Sequence, residues 1–456
     1  MSDHDVLVLG GGSGLTAAYH AEADGLDVAV VEPGPLGGTC VNRGCIPTKT
    51  LIESADLARE VQRSAAFDVD AGDPDVDVSA LLARMREMRA ANVSQSDDWL
   101  ENSEQITLYR EKARFVDDQT VELSDSGERL AASHVFVATG ARPLIPPIDG
   151  IDDVDVLTNR TILDDLEDAP DSLTIVGGGY IGLEFGHFFS AVGTDVTIVE
   201  GGDRLAEPED SEIGHRLTDA VSAYADVHLT TYATRLTEKS DQVVVEGEDR
   251  ADGSTIEVSA DEVLVAAGRR PNTGELNLAA TGVETTDRGW IDVDETFQTT
   301  NPFVYAYGDV IGRGMFKHTS SFEGEAAYRN SQGGHVTVDY DANPHAIFTE
   351  PKVAGVGMTE DEAQQAARDV EVAKAGYPTV AKGNIVQAED GFAKAVVDPT
   401  TREILGFHAI GPQAPTLVHE VVVAMTAGDG SIDNITDAIH VHPTLSELVH
   451  TLFTRF

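Results

Sequence analysis

The chain has 456 residues, more than one hydrophobic core can serve, and its 41% hydrophobic share suits a packed, enzyme-sized body of about three domains. Lys and Arg total 31 against 79 Asp and Glu, and the resulting net charge of −48 excludes nucleic acid and anionic lipid as partners by repulsion. The N-terminus, MSDHDVLVLGGG, has no basic region followed by a long apolar stretch, and no segment reaches the ~18 apolar residues of a membrane span, so a cytoplasmic protein is expected.

The first patterned stretch, DVLVLGGGSGLTAAYHAEADGLDVAVVE (5–32), reads as apolar strand, glycine-rich turn, helix, second apolar strand and terminal glutamate. That order is the βαβ unit of a dinucleotide-binding fold, in which glycines admit a pyrophosphate to the helix N-terminus and the acid accepts from ribose hydroxyls. Gly10 and Gly12 take the first two fingerprint positions and Glu32 the acid position, but Leu15 stands where the third glycine belongs. The unit is one residue short, which passes the close helix contact to Gly14.

Next comes GGTCVNRGCIPTK (37–49), which holds the chain's two cysteines, Cys40 and Cys45. A zinc site needs about four ligands and no second cysteine pair exists, so no metal is expected. A structural disulfide has little purpose in a cytosolic chain of this size. Two inert buried thiols remain an alternative, but a redox pair accounts better for their spacing among glycines. Residues five apart in a regular helix lie roughly 8 to 9 Å apart at Cα, whereas a disulfide needs roughly 4.4 to 6.8 Å. The segment is therefore expected to be distorted at Gly37, Gly38 and Gly44. IPTKTLIESADLARE continues as a helix, and a place at its N-terminus is expected to lower a thiol pKa.

HVFVATGARPLIPP (134–147) is an apolar strand closing on a glycine turn and prolines. The stretch SLTIVGGGYIGLEFGHFFSAVGTDVTIVE (172–200) repeats the βαβ pattern with the full fingerprint, Gly177, Gly179 and Gly182, and Glu200 at the strand end. One such fingerprint is weak evidence; two complete units are strong evidence for two dinucleotides. EVLVAAGRRPNT (262–273) and TTNPFVYAYGDV (299–310) are further strands with glycine turns, and from about Phe348 the pattern changes to that of another domain. The acidic runs, such as DAGDPDVDVSA and EPEDSEIG, are spread along the chain and read as solvated surface.

GGTCVNRGCIPTK, the two βαβ units, TTNPFVYAYGDV and VHPTLSELV (441–449) together closely resemble the FAD-dependent pyridine nucleotide-disulfide oxidoreductases, over essentially the whole chain. That group contains glutathione reductase, dihydrolipoamide dehydrogenase, mycothione reductase and mercuric reductase. The resemblance implies an α/β fold with two Rossmann-like dinucleotide-binding domains plus a C-terminal α+β dimerisation domain. Its implied boundaries are 1–150 and 274–345 for the two parts of the FAD-binding domain, 151–273 for NAD(P) and 346–456 for dimerisation. It places FAD on Gly10, Gly12, Ser13, Gly14, Glu32, Gly38, Thr39, Thr139, Gly140, Gly308 and Asp309, with Asp309 bonded to the ribityl chain. It places NAD(P) on Gly177, Gly179, Tyr180, Ile181, Gly182, Glu200, Arg204 and Gly268.

The resemblance further implies a redox-active Cys40–Cys45 disulfide, with Cys45 facing the flavin and Cys40 attacking the substrate. His442 is the implied proton donor to the leaving thiolate, as suits an imidazole, and Glu447 its orienting carboxylate. In the family this histidine comes from the other subunit, so a homodimer is expected. Lys49 and Glu184 match the family's ion pair near the flavin.

For the substrate, the chain ends VHTLFTRF without the extra cysteines of mercuric reductases or large thioredoxin reductases, and the redox pair argues against a transhydrogenase. Arg43 stands where relatives carry a small apolar residue, and its cation suits thiolates or a substrate carboxylate. Glutathione fits poorly, because its binding arginines correspond to Tyr19, His20 and Glu325 here. FKHTSSFEG (316–324) looks closer to mycothione reductase and dihydrolipoamide dehydrogenase. The spread acid resembles the surface of extreme halophiles, and with a small-thiol reductase it points to bis-γ-glutamylcystine. Dihydrolipoamide reoxidation is the alternative, and a scaffold flavoprotein is a weaker one given four retained catalytic residues. Glu200 favours NADH by repelling a 2′-phosphate, whereas Arg204 and family habit favour NADPH; both are retained.

Overall fold

A computed structural model describes residues 2–456. The chain divides into two compact units, one of residues 1–50, 79–144 and 268–338, the other of residues 51–78, 145–267 and 339–456. The first unit is built on a seven-stranded sheet. At its centre the strands Val28–Val31, Ser2–Leu9, Arg129–Val137 and Val304–Ala306 run parallel, each pair bridged in register. Val28 to Val31 are all buried, as continuous apolar runs must be when both faces of a parallel sheet are covered. The glycine-rich turn follows the central strand and leads into the helix Leu15–Ala23.

The second unit repeats the plan with a four-stranded parallel sheet, Asp226–His228, Asp195–Val199, Ser172–Val176 and Glu262–Val265. Its helix Tyr180–Ala191 is buried along most of its length. The same unit holds an antiparallel five-stranded sheet, ordered His345–Ile347, Val353–Gly357, Ile404–Ile410, Phe392–Val397, Glu371–Gly376. The helices Ala414–Thr426 and Ser446–Phe453 cover it through a core that includes Phe407, Leu417, Val421, Leu448 and Phe453. Two Rossmann-like units and an α+β C-terminal domain are thus present, as the α/β reading expected. No described helix is long and apolar enough to cross a membrane.

Candidate active site

Gly14 closes the shortened first turn. A Cβ on it would meet the Gly10 carbonyl oxygen at 2.1 Å and Val8 Cγ1 at 2.8 Å. In the second turn a Cβ on Gly182 would meet the Gly177 oxygen at 2.2 Å and Ile175 Cγ2 at 3.1 Å. The two glycines therefore perform the same close packing of helix on strand, one residue earlier in the first unit. The acids at the strand ends also match: Glu32 accepts from the Gly11 and Gly34 N–H groups at 2.7 and 2.8 Å, and Glu200 from those of Gly178 and Gly202 at 2.5 and 2.6 Å.

The cysteine segment packs directly on the first turn. The Gly37 N–H donates to the Gly11 oxygen at 2.7 Å, and a Cβ on Gly38 would meet Gly12 Cα at 2.7 Å. Gly37 and Gly38 both have positive φ, and the chain breaks at Gly44 between a short helix, Gly38–Arg43, and the long helix Cys45–Arg63. Distortion falls at the glycines singled out for it, and Cys45 is the first residue of the long helix. Buried Asn42 braces the short helix by donating to the Leu36 and Gly38 oxygens.

Both cysteines are thiols here. A hydrogen bond with Cys45 pushes the Cys40 pKa up, and burial and Cys45 charge push the same way, while Lys317 and Lys49 pull it down. The expectation that a helix N-terminus lowers the thiol pKa therefore fails for Cys40. Its neighbour's sulfur, not the helix end, dominates its field.

Asp309 begins the turn after the strand Val304–Ala306, and its carboxylate lies 3.1 Å from Arg269 Nη2. Burial pushes its pKa up against the pull of that arginine. Arg269 also donates to the Ala141 oxygen. Gly308, at positive φ, gives its N–H to buried Glu323 at 2.7 Å. Thr139 and Gly140 are fixed by Asn272, which donates its side-chain amide to the Thr139 oxygen and its N–H to the Gly140 oxygen. The Ser13 and Gly14 oxygens accept from the Tyr307 hydroxyl. Thr39 is exposed. Arg269, Lys317 and Glu323 were not singled out from sequence: the arginine has one cue, its place beside the glycine turn at Gly268, and the other two have none.

In the second unit, Gly179 has no neighbour within 4 Å of an added Cβ, leaving an open approach beside Tyr180 and Ile181. The Tyr180 hydroxyl donates to Glu209. Arg204 is turned to Asp203 and to the Glu207 oxygen, which accepts from Nη2 at 2.8 Å. Glu184 is buried and accepts from the Phe348 N–H at 3.2 Å. Gly268, at positive φ, belongs to the first unit, where its oxygen accepts from the Leu144 N–H.

At the C-terminus His442 Nδ1 lies 2.9 Å from Glu447 Oε1, and Glu447 Oε2 accepts from the Thr444 N–H at 3.0 Å. A carboxylate only accepts, so Nδ1 carries the proton and Nε2 is left to exchange one. The same hydrogen bond, with that from Thr444, holds the Glu447 pKa below the ordinary range. His442 is 69% exposed and sits beside the fully exposed Ile439 and the exposed Val441.

Of the residues proposed to meet substrate, Arg43 is half-buried in the short cysteine helix. Tyr19 is exposed and contacts the rings of His20 and Trp99, while His20 stacks on Tyr328. Glu325 pairs with Arg329 one helical turn on.

Residues 4–324 match the family described as pyridine nucleotide-disulphide oxidoreductase, and residues 343–453 match its dimerisation domain. The chain is 36% identical to a dihydrolipoyl dehydrogenase of Halobacterium salinarum, over 97% of this chain and 94% of that protein. It is 31% identical to a mercuric reductase of Staphylococcus aureus, over 98% of this chain and 81% of the other. Among solved structures it resembles the HOCl-induced flavoprotein disulfide reductase RclA of Escherichia coli in its Cu(II) complex, with a TM-score of 0.87 and 27% identity over all of both chains.

Proposed function

Since the chain belongs to the pyridine nucleotide-disulphide oxidoreductases, we propose that it reduces a low-molecular-weight thiol disulfide, bis-γ-glutamylcystine, to γ-glutamylcysteine. Members of this family are FAD- and NAD(P)H-dependent enzymes acting on sulfur groups, and the dimerisation-domain match indicates a homodimer. The residues present fit both dinucleotides. The turn at Gly10, Gly12 and Gly14 carries the close packing that a pyrophosphate-binding turn needs, and Gly179 leaves an open approach in the other. Half-buried Asp309 offers a carboxylate to a polyol, with Glu32 and Glu200 at the strand ends for ribose hydroxyls. When bound, the cofactors supply the two electrons that restore the dithiol.

The reading rests above all on Cys40 and Cys45, held as a hydrogen-bonded pair against the first glycine turn. Cys40 gives its proton to Nε2 of the partner subunit's His442 and attacks one sulfur of the substrate, forming a mixed disulfide and breaking the substrate S–S bond. The departing thiolate takes its proton from His442 Nε2 of the partner subunit, whose imidazolium Glu447 stabilises. Cys45 then attacks the Cys40 sulfur, its proton passing to the departing sulfur, which releases the second thiol and forms the Cys40–Cys45 disulfide. Two electrons pass from the dithiol to the substrate, which leaves as two thiols.

Arg43, within the cysteine segment, supports a substrate bearing carboxylates near its disulfide. Arg204 is held by Asp203 and Glu207, and the Glu200 carboxylate stands at the strand end accepting from Gly178 and Gly202, which together favour NADH. A second reading, dihydrolipoyl dehydrogenase, is favoured by the names of several relatives. Steady-state oxidation of NADH and of NADPH by the FAD-loaded protein in high salt, with bis-γ-glutamylcystine, oxidised glutathione and lipoamide in parallel, separates the two. Selective turnover of bis-γ-glutamylcystine is expected; preference for lipoamide overturns the substrate assignment.

A further inference from the structure

The acidic run EPEDSEIG, read from sequence as solvated, places Glu209 and Asp210 in the interior at 2% and 1% exposure. Asp210 pairs with buried Lys394. Glu209 meets two histidines from distant parts of the chain. One carboxylate oxygen of Glu209 and one ring nitrogen each of His345 and His408 lie within 4.8 Å of one another. His345 Nε2 is 3.0 Å from Glu209 Oε2.

The sheet register explains the convergence. Gly355 is paired with His345 on one side and His408 on the other. A Cβ on Gly355 would meet His345 Nε2 at 2.7 Å and His408 Nδ1 at 2.8 Å. The glycine thus leaves a space into which both ring nitrogens point.

His408 supplies a second, independent observation. Its Nε2 lies 3.0 Å from the Met358 carbonyl oxygen, which can only accept, so Nε2 carries the proton and Nδ1 a lone pair. That Nδ1 is fully buried and has no hydrogen-bond partner among the described residues. A buried acceptor left without a donor is destabilising. The Glu209–His345 pair does not relieve it.

We infer that Glu209, His345 and His408 form a binding site for one divalent transition-metal ion, with Zn2+ as the ion best suited to two imidazoles and a carboxylate. This donor set occurs at zinc sites that leave a fourth position to water. The outer contacts are those that orient metal ligands: Met358 fixes the His408 tautomer, and the Tyr180 hydroxyl holds the other Glu209 oxygen. Because Tyr180 opens the helix after the second glycine turn, the ion would brace the turn proposed for nicotinamide.

The test uses the FAD-loaded protein with Cys40→Ser and Cys45→Ser, which removes the thiolates as competing ligands. After chelator stripping, Zn2+ alone is titrated against a chromophoric chelator. Uptake of about one Zn2+ per chain is expected, weakened in His408→Ala and in Glu209→Gln by more than the roughly 10–100-fold that loss of an outer contact costs, and unchanged in His215→Ala. Crystals of the unmutated chain soaked in Zn2+ give a readout that needs no ligand variant to fold, namely an anomalous peak beside Glu209, His345 and His408. No stoichiometric uptake, uptake undiminished in both ligand variants, or a peak elsewhere without one here overturns the site.

Discussion

Glycines in the two nucleotide turns do different work, and single substitutions separate it. At Gly182 an added Cβ collides with a backbone oxygen at 2.2 Å, whereas at Gly179, with φ −80°, it meets nothing within 4 Å. Gly182→Ala is therefore expected to destabilise the protein by about 1–3 kcal/mol. Gly179→Ala is expected to leave the melting temperature unchanged and raise the NAD(P)H KM by about tenfold, because the methyl occupies the pyrophosphate approach. Equal loss of stability in the two would refute that division. Such positions are legible in sequence because a close backbone approach permits one residue type. Gly14 was legible for that reason even though its spacing departs from the fingerprint. The Cys40 pKa was not, since its upward direction comes from the hydrogen bond with Cys45 and from burial, which spacing alone does not report. Glu209 and Asp210 misled in the same way: nothing in EPEDSEIG marks two of its acids as interior, because their partners His345, His408 and Lys394 are contributed by later strands.

Helices and strands of the second unit are tied by charges whose loss has calculable direction. Lys394, on the strand Phe392–Val397, is 1% exposed and contacts Asp210, Glu212 and Glu360, with Nζ–oxygen distances of 2.9, 3.3 and 2.6 Å. Burial would lower its pKa, but the three carboxylates outweigh that and raise it. Lys394→Met strands buried Asp210, and denaturation at neutral pH should show a loss of about 3–5 kcal/mol. A second tie joins Asp56, on the helix that begins at Cys45, to His187 at 3.0 Å and to Lys352. Burial raises the Asp56 pKa, but these two partners more than offset it and hold it below the usual value of 3.8. A depressed carboxylate contributes stability above its unfolded pKa and loses that contribution as pH falls through its folded pKa. Asp56→Asn should therefore be less stable than the parent at pH 7 and converge with it on acidification below the ordinary carboxylate range. A gap between the two that stays constant to pH 2 would show that packing, not charge, is what the substitution removes. Sequence patterning located the helix that follows the cysteines but not its ties, because periodicity reports which face is buried and not which charge meets it.

At the scale of the whole molecule, the net charge of −48 and the expected homodimer each yield a test. Raising KCl from about 0.1 to 1 M shortens the screening length from roughly 10 to 3 Å. The melting temperature should climb over that range, and a flat response would mean that local pairing already neutralises the acid. The dimer has a sharper test. His442 and Glu447 are hydrogen-bonded to each other, and the imidazole is largely exposed with Ile439 and Val441 beside it. Apolar exposure of that kind is the composition of a surface that another subunit covers. If each active site combines Cys40 of one subunit with His442 of the other, a heterodimer of Cys40→Ser and His442→Ala chains has one site with both residues intact and one with neither. Each parent homodimer has no intact site. Reversible dissociation and reassociation of an equal mixture gives heterodimers in about half of the dimers, so turnover should recover to about a quarter of the unmutated value from two nearly inactive parents. If His442 instead serves its own subunit, each site in the heterodimer carries one of the two defects, and the mixture stays as inactive as its parents.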